Sequence, residues 1–296
     1  MQNRKPRIAI TVGDPAGIGP EIARKAADDP RVLAVCEPLL YGPPSDMGFE
    51  AGVLSPEAGQ AAYEAICRAV GDAKAKRVDA VATAPVNKMA FALAGLPWKG
   101  HTELLAHLTG SAHVAMMFWS EPLKVVLATV HVPLADVPRL LTPDLLGRII
   151  TLTAQELPRF GLRNPRLALA GLNPHAGEGD LLGTEERRVL EPAVAAAQSR
   201  GVRIDGPFPG DTIFGRAYRG EFDAVIACYH DQGLIPVKLL AFGQAVNVTL
   251  GLPIIRTSVD HGTAFDIAGR GVADPSSMIA ATLLAVRLAT QPLSGA

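Results

Sequence analysis

The feature that most constrains this chain is an alternation. Short runs rich in valine, isoleucine and leucine recur, each followed by a stretch of helical composition. Parallel strands need long crossovers, usually helices, so the alternation predicts βαβ units around mostly parallel sheets. Strands are expected at Arg7 to Val12, Ala80 to Ala84, Leu123 to Val130, Arg166 to Leu172, Ala224 to Cys228 and Ala245 to Leu250. Most are apolar throughout rather than at alternate positions, the pattern of strands covered on both faces. Helices are expected to open at Pro20-Glu21, to fill the alanine-rich stretch Ser55 to Ala73, and to run from a Thr142-Pro143-Asp144 cap to about Phe160. Another opens at Thr184-Glu185-Glu186 and reaches about Arg200, and a last one spans Pro275 to Leu288.

A chain of 296 residues can form one large domain or two medium ones, and two are expected. Proline, glycine and tryptophan crowd into Gly95-Leu96-Pro97-Trp98-Lys99-Gly100, which predicts a crossing between domains, with Gly269-Arg270-Gly271 as the return. The expected layout is a discontinuous first α/β domain, 1–97 plus 268–296, and a second, 98–267, carrying most metal and substrate residues. With 28 basic and 29 acidic side chains and no run of like charge, the chain lacks an electrostatic footprint for nucleic acid or an anionic membrane. Met1 to Arg7 is polar and basic, and no stretch approaches the ~18 apolar residues of a membrane span, so a cytoplasmic protein is expected. Cys36, Cys67 and Cys228 are odd in number, far apart and without a CxxC pair, which argues against disulfides or a thiolate zinc site.

In a parallel α/β sheet, ligands bind beyond the carboxyl ends of the strands, and here those positions are polar. His131 ends one expected strand, Asn173-Pro174-His175 follows another, and Tyr229-His230-Asp231 follows a third. Each histidine alone is more ordinary as a core or surface residue. Three at equivalent positions can instead meet as a facial triad with open positions, the arrangement of a catalytic divalent metal: zinc, or else magnesium, cobalt or manganese. Gly100-His101-Thr102-Glu103 reads as a turn entering a helix, whose free N–H groups suit an anion; the alternative, Thr102 as a mere cap, leaves His101 unexplained. Lys238, Asn247 and Arg256 lie in an otherwise apolar region, where a cation requires an anion, either an internal carboxylate or a substrate phosphate. The glycines of Gly13-Asp14-Pro15-Ala16-Gly17-Ile18-Gly19 do not have the G-x-G-x-x-G spacing, so the segment reads first as a tight βα loop, with Asp14 able to face a cleft. Asp211 and Asp231 each read as a general base, a carboxylate supporting a ligand, or a simple turn cap.

Together GDPAGIGPE, TAPVNK, GHTELLAHLTG, TVHVPL, GLNPHAGE, PGDT and YHDQGLIPVKLL resemble the 4-hydroxythreonine-4-phosphate dehydrogenase family of pyridoxal phosphate biosynthesis, over nearly the whole chain. The resemblance implies a two-domain isocitrate/isopropylmalate dehydrogenase-like fold with an active-site cleft between domains. It also implies a homodimer with shared active sites, a divalent metal, and NAD or NADP. Carried over by motif, His131, His175 and His230 are metal ligands, the third coming from the partner subunit. His101, Thr102, Lys238, Asn247 and Arg256 bind substrate, and Asp211, Asp231 and Lys238 are the catalytic candidates. Asp260 to Gly269 resembles the cofactor loop of isopropylmalate dehydrogenases, which with Asp14 places His261, Thr263 and Asp266 near the dinucleotide. Two departures stand out: the chain is short for the family, with 33–55 looking trimmed, and Phe265 stands where related loops carry proline.

The implied reaction is oxidation of 4-phospho-hydroxy-L-threonine at C3 followed by decarboxylation to 3-amino-2-oxopropyl phosphate. D-Threonate and D-erythronate 4-phosphate are the alternative substrates. From other classes, a metal-dependent phosphate-ester hydrolase or aldolase would use the same histidines, and a sugar-phosphate sensor would use the pocket without turnover.

Overall fold

The structure, a computed structural model, describes residues 4–44 and 47–291. Residues 1–3 and 292–296, at the ends of the expected first domain, and 45–46, within the stretch that looks trimmed, lie outside the described residues. Two compact units result: the described residues up to Val114 together with Val246–Thr290, and Ala115–Ala245 with Gln291.

The first unit holds β1 (Arg7–Thr11), β2 (Glu37–Tyr41), β3 (Ala80–Thr83) and, from the second visit of the chain, two further strands at Val246–Leu250 and Arg256–Ser258. The second unit holds β4 (Ala115–Trp119), β5 (Lys124–Leu127), β6 (Leu167–Ala170), β7 (Ile204–Phe208) and β8 (Ala224–Ala227), so the returning strands of the first unit are β9 and β10. In the first unit the order is β2-β1-β3-β10-β9, parallel except that β9 runs against β10. In the second it is β4-β5-β8-β6-β7, parallel except that β4 runs against β5.

Alternation along the strands explains why both faces are covered. Ile8, Ile10, Ala80 and Ala82 pack with Ile22, Met278 and Ile279 of the helices Gly19–Ala27 and Ser276–Thr290. The intervening Ala9 and Val81 pack on the other face with Ile66, Phe91, Leu104 and Leu105. In the second unit Val125, Leu127, Val225 and Ala227 pack with Phe214, Leu234 and Val237. All six expected strands form, and the expected helices form at Gly19–Ala27, Pro56–Lys74, Pro143–Glu156, Glu191–Gln198 and Ser276–Thr290. Ser55 and Thr142 cap their helices by accepting from the N–H groups of Ala58 and Leu145. The helix expected from Thr184 differs in detail, because its first turn, Glu186–Leu190, is a π-helix.

The units divide at 114/115 and 245/246 rather than at 97/98 and 267/268. The reason is packing. The helix His101–Thr109 buries Leu104 and Leu105 in the core that contains Phe91, while β9 and β10 extend the sheet beyond β3, so 98–114 and 246–267 join the first unit. Leu104→Ala is expected to lower stability by about 2–5 kcal/mol in chemical denaturation, the range for a fully buried leucine. A loss within experimental error would mean that this helix is not part of the first core.

Candidate active-site residues

In the first unit a buried cation has no carboxylate partner among the described residues. Arg256 opens β10 and is 2% exposed. Its Nη1 donates to Thr249 Oγ1 (3.0 Å) and its Nη2 to Thr83 Oγ1 (2.8 Å), while its buried Nε has no partner. Burial pushes the guanidinium pKa down to about 9, so it still carries its charge at neutral pH. Of the two anions that could satisfy this cation, an internal carboxylate is absent among the described residues; hydroxyls hold it instead. His101 lies within its field: burial, and then Arg256, hold the imidazole well below its usual range, and its Nε2 is buried without a partner. Asn247, on β9 opposite Ser258, likewise has a buried, unpartnered Oδ1. Thr102 follows His101 in the first turn of the helix His101–Thr109, whose N-cap is Gly100 and makes no side-chain cap bond. His101, Asn247 and Arg256 thus share one unit. Lys238 belongs to the other, on the helix His230–Ala241.

The loop after β10 folds against the loop after β1. Ile18 N–H donates to the Thr263 carbonyl (2.9 Å), and a Cβ on Gly17 would stand 2.9 Å from Thr263 Cβ and 3.4 Å from the Phe265 ring. Only glycine admits that approach, and Phe265, the residue that departs from the related loops, packs into it. Asp266 is exposed in the turn Phe265–Ile267, and His261 Nδ1 lies 3.0 Å from the Gly262 carbonyl. Asp14 is 1% exposed; its Oδ1 accepts from Ala16 N–H (2.9 Å), while Oδ2 is buried without a partner. That orphan acceptor suits a hydroxyl or carboxamide donor, so the residues fit a dinucleotide here.

In the second unit, β5, β8 and β6 are neighbours, so the loops carrying His131, His230 and His175 leave adjacent strand ends. Hydrogen bonds continue the sheet into those loops. Thr129 donates through both N–H (3.2 Å) and Oγ1 (2.7 Å) to the Cys228 carbonyl, and the His131 and His230 rings lie 5.6 Å apart between centroids. Asp231 Oδ1 accepts from His230 Nδ1 at 2.7 Å, which leaves Nε2 to ligate a cation, as a carboxylate-oriented metal ligand requires. Gln232 bridges the other side: its Oε1 accepts from Cys228 N–H and its Nε2 donates to the Gly171 carbonyl, both at 2.7 Å. Burial, and then the charge of Glu186, push the Cys228 thiol pKa up, in keeping with a packing residue rather than a thiolate ligand. The two neighbouring imidazoles fit part of a divalent-metal site. Among the described residues no three His, Cys, Asp or Glu side chains converge into a complete set, so the triad expected at the strand ends is not assembled within one chain. His175 sits in an exposed loop of left-handed backbone, and Asp211 is exposed in the first turn of the helix Gly210–Tyr218.

Sequence reasoning missed the hydroxyls of Thr83, Thr249 and Ser258 and the carboxylate of Glu186. Thr83 stands at the head of TAPVNK, a motif already singled out, whereas Thr249 and Ser258 look like ordinary strand residues until β9, β10 and β3 are paired.

The family model described as "Pyridoxal phosphate biosynthetic protein PdxA" matches residues 17–285. The chain belongs to that family. It is 44% identical to the 4-hydroxythreonine-4-phosphate dehydrogenase of Desulforapulum autotrophicum, covering 98% of this chain and 97% of that protein. It is 42% identical to the D-threonate 4-phosphate dehydrogenase of Cupriavidus necator, over 98% of this chain and 99% of that one. The crystal structure of the Klebsiella pneumoniae 4-hydroxythreonine-4-phosphate dehydrogenase superposes with a TM-score of 0.88 at 41% identity, covering 98% of this chain and all of that one. Isocitrate dehydrogenase from Methylococcus capsulatus shares the fold at 18% identity with a TM-score of 0.52. The PdxA-family chain described here is therefore an oxidoreductase with the isocitrate dehydrogenase type of α/β fold. Its alignment with the Desulforapulum protein runs over 331 positions, more than its own 296 residues, so that relative carries residues this chain lacks. No helix among the described residues is long and apolar enough to cross a membrane.

Burial, partly offset by the Ala16 N–H, raises the Asp14 pKa. The folded state then releases this proton less readily than the unfolded chain, so ionised Asp14 lowers stability above the ordinary aspartate range and costs nothing well below it. Asp14→Asn keeps the acceptor for Ala16 and is expected to raise Tm at about pH 7, with the gain vanishing below about pH 4. Thermal unfolding across that range checks the sign.

Proposed function

We propose that this protein oxidises 4-phospho-hydroxy-L-threonine at C3 with NAD or NADP, and that the product decarboxylates to 3-amino-2-oxopropyl phosphate, a step of pyridoxal phosphate biosynthesis in the cytoplasm. The observation that carries the reading is Arg256, a buried cation held by hydroxyls with an unpartnered Nε, beside His101 with an unpartnered Nε2. Burying a charge without a counter-ion is costly, and a substrate phosphate supplies the missing anion. Arg256, His101 and Thr102 donate to phosphate oxygens, and Asn247 meets the hydroxyl or amine nearer the reacting carbon.

His131, His175 and His230 hold a divalent cation, zinc in the first instance, with Asp231 fixing the His230 tautomer. Bound there, a divalent cation would supply Lewis acidity, and a dinucleotide held by Asp14, His261, Thr263 and Asp266 would supply a hydride acceptor. Lys238 and Asp211 are the groups available to take the hydroxyl proton. A proton and two electrons would leave C3 together as hydride, the hydroxyl proton would pass to base, and the resulting 3-oxo acid would lose CO2 because the ketone accepts the electron pair.

Only part of the metal set lies together in one chain, which supports a homodimer that completes it. The helix His230–Ala241 exposes Ile235 (66%) and Leu239 (83%), with Phe242 (81%) just beyond, spaced to share one face, an apolar surface of the kind that subunits cover. Alanine at His131, His175 or His230 is expected to lower bound metal and abolish turnover. A site shared between subunits further predicts that, after subunit exchange, a pair of these variants acting from different chains regains part of the activity, while a pair acting from the same chain does not. Recovery by no pair would count against the shared site.

A second reading follows from the Cupriavidus relative: D-threonate or D-erythronate 4-phosphate as substrate. An amino group and a hydroxyl at C2 differ in charge and donor count, so a site built for one rejects the other, by up to ~10⁴-fold. The purified protein with divalent metal, offered each of the three phosphates with NAD and with NADP, is expected to give the highest kcat/KM on 4-phospho-hydroxy-L-threonine, followed through reduced-nicotinamide absorbance. A higher value on a sugar-acid phosphate overturns the substrate, and no reduction of either cofactor overturns the reaction.

A further inference from the structure

We infer that Glu186 is a positioning residue for the metal site: its buried carboxylate is the post around which the His175 loop is wound, and it sets His175 for ligation. This rests on the reading of His175 as a metal ligand.

After β6 the chain runs through Leu172, Asn173 and Pro174 into six successive residues of left-handed backbone. They are His175 (φ 52°), Ala176 (52°), Gly177 (83°), Glu178 (45°), Gly179 (63°) and Asp180 (74°). Left-handed conformations occur as single residues because each L side chain resists them, and four of these six are not glycine. Such a loop persists only where its surroundings over-determine it.

Glu186 supplies that determination. The residue is 3% exposed. Its Oε1 accepts from Leu172 N–H (2.9 Å) and Asn173 N–H (2.8 Å), and its Oε2 accepts from Asn173 Nδ2 (2.9 Å). Asn173 Nδ2 also donates to Glu185 Oε2 (2.8 Å), so two successive carboxylates grip the residue two places before His175. The glycines of the loop are cut to this post. A Cβ on Gly177 would stand 2.9 Å from Glu186 Oε2, and one on Gly183 would stand 2.4 Å from Asn173 Nδ2. The carboxylate opens the π-helical turn Glu186–Leu190, and such turns recur at functional sites. No cation pairs with Glu186 among the described ion pairs; charge-assisted bonds to N–H groups satisfy it instead. The beginning of the loop is fixed independently, by the Gln232 bond to the Gly171 carbonyl. Glu186 therefore acts on the segment between that anchor and His175.

Glu186→Gln replaces one acceptor oxygen by an NH2 group, which cannot accept from both sides. The experiment compares the intact wild-type protein, Glu186→Gln, His175→Ala and the double variant, titrated with Zn(II) and with Co(II). The Co(II) visible spectrum reports the ligand field. Glu186→Gln is expected to keep its far-UV circular dichroism and to bind metal 10–100-fold more weakly, with an altered Co(II) spectrum, the usual effect of removing a group that orients a ligand. In the His175→Ala background the same change is expected to add little, because it acts through the side chain already removed. Asn173→Ala, which leaves the two backbone donors in place, is the second variant should Glu186→Gln fold poorly, and it is expected to weaken metal in the same direction. Weakened metal in His175→Ala with unchanged affinity and spectrum in the Glu186 and Asn173 variants overturns the positioning role alone, as does an equal further loss in the double variant. Unchanged affinity in His175→Ala overturns the metal reading of His175, and the proposal with it.

Discussion

A parallel sheet delivers its crossovers from one edge, and the candidate chemistry of this protein depends on that constraint. In the second unit β5, β8 and β6 lie side by side and parallel, so the residues after each emerge together. Hydrogen bonding does not stop where the strands do. Thr129 reaches the Cys228 carbonyl, and Gln232 ties Cys228 to Gly171, so the three loops leave the sheet already joined. The β5–β8 pairing, continued by the Thr129 bond, is why His131 and His230, 99 residues apart in sequence, come to lie with ring centroids 5.6 Å apart.

The first unit meets a different problem, a charge without a partner. Thr83, at the end of β3, and Thr249, on β9, offer Arg256 two hydroxyl acceptors, which hold the guanidinium in place without neutralising it. Strand pairing sets this up: β10 lies between β3 and β9, and among the described residues no carboxylate pairs with Arg256. A buried ion pair would have been satisfied internally. Hydroxyls leave the positive charge available, and His101 and Asn247 add unpartnered atoms in the same unit.

The left-handed loop after β6 meets a comparable problem in backbone form. At about 1–2 kcal/mol for each non-glycine residue, its conformation is unfavourable alone, and the three N–H groups gathered on Glu186 oppose that tendency. Three of the candidate site residues are each met by a neighbouring polar group. Asp231 holds the His230 ring, Glu186 holds the start of the His175 loop, and Ala16 N–H holds the Asp14 carboxylate.

Six strands and the main helices were legible in the sequence. Apolar runs buried on both sides can only be interior strands, and Ser55, Thr142 and the helix-entry prolines mark where helices begin, because caps and proline geometry act through near neighbours. It also named the strand-end residues His131, His175 and His230 and the polar residues His101, Asn247 and Arg256. Elements whose character is non-local were not legible. β2 and β7 are edge strands containing Pro38 and Pro207, β4 is a methionine-rich run with no β-branched residue, and β10 is three residues of Arg-Thr-Ser. Each is a strand because of what it pairs with. Tertiary structure alone decided that Arg256 faces threonines instead of a carboxylate, that residues 98–114 belong to the first core, and that Glu186 stands inside the His175 loop. Those outcomes depend on which buried polar groups are left facing one another once the strands are ordered, and the spacing of residues along a chain does not contain that order.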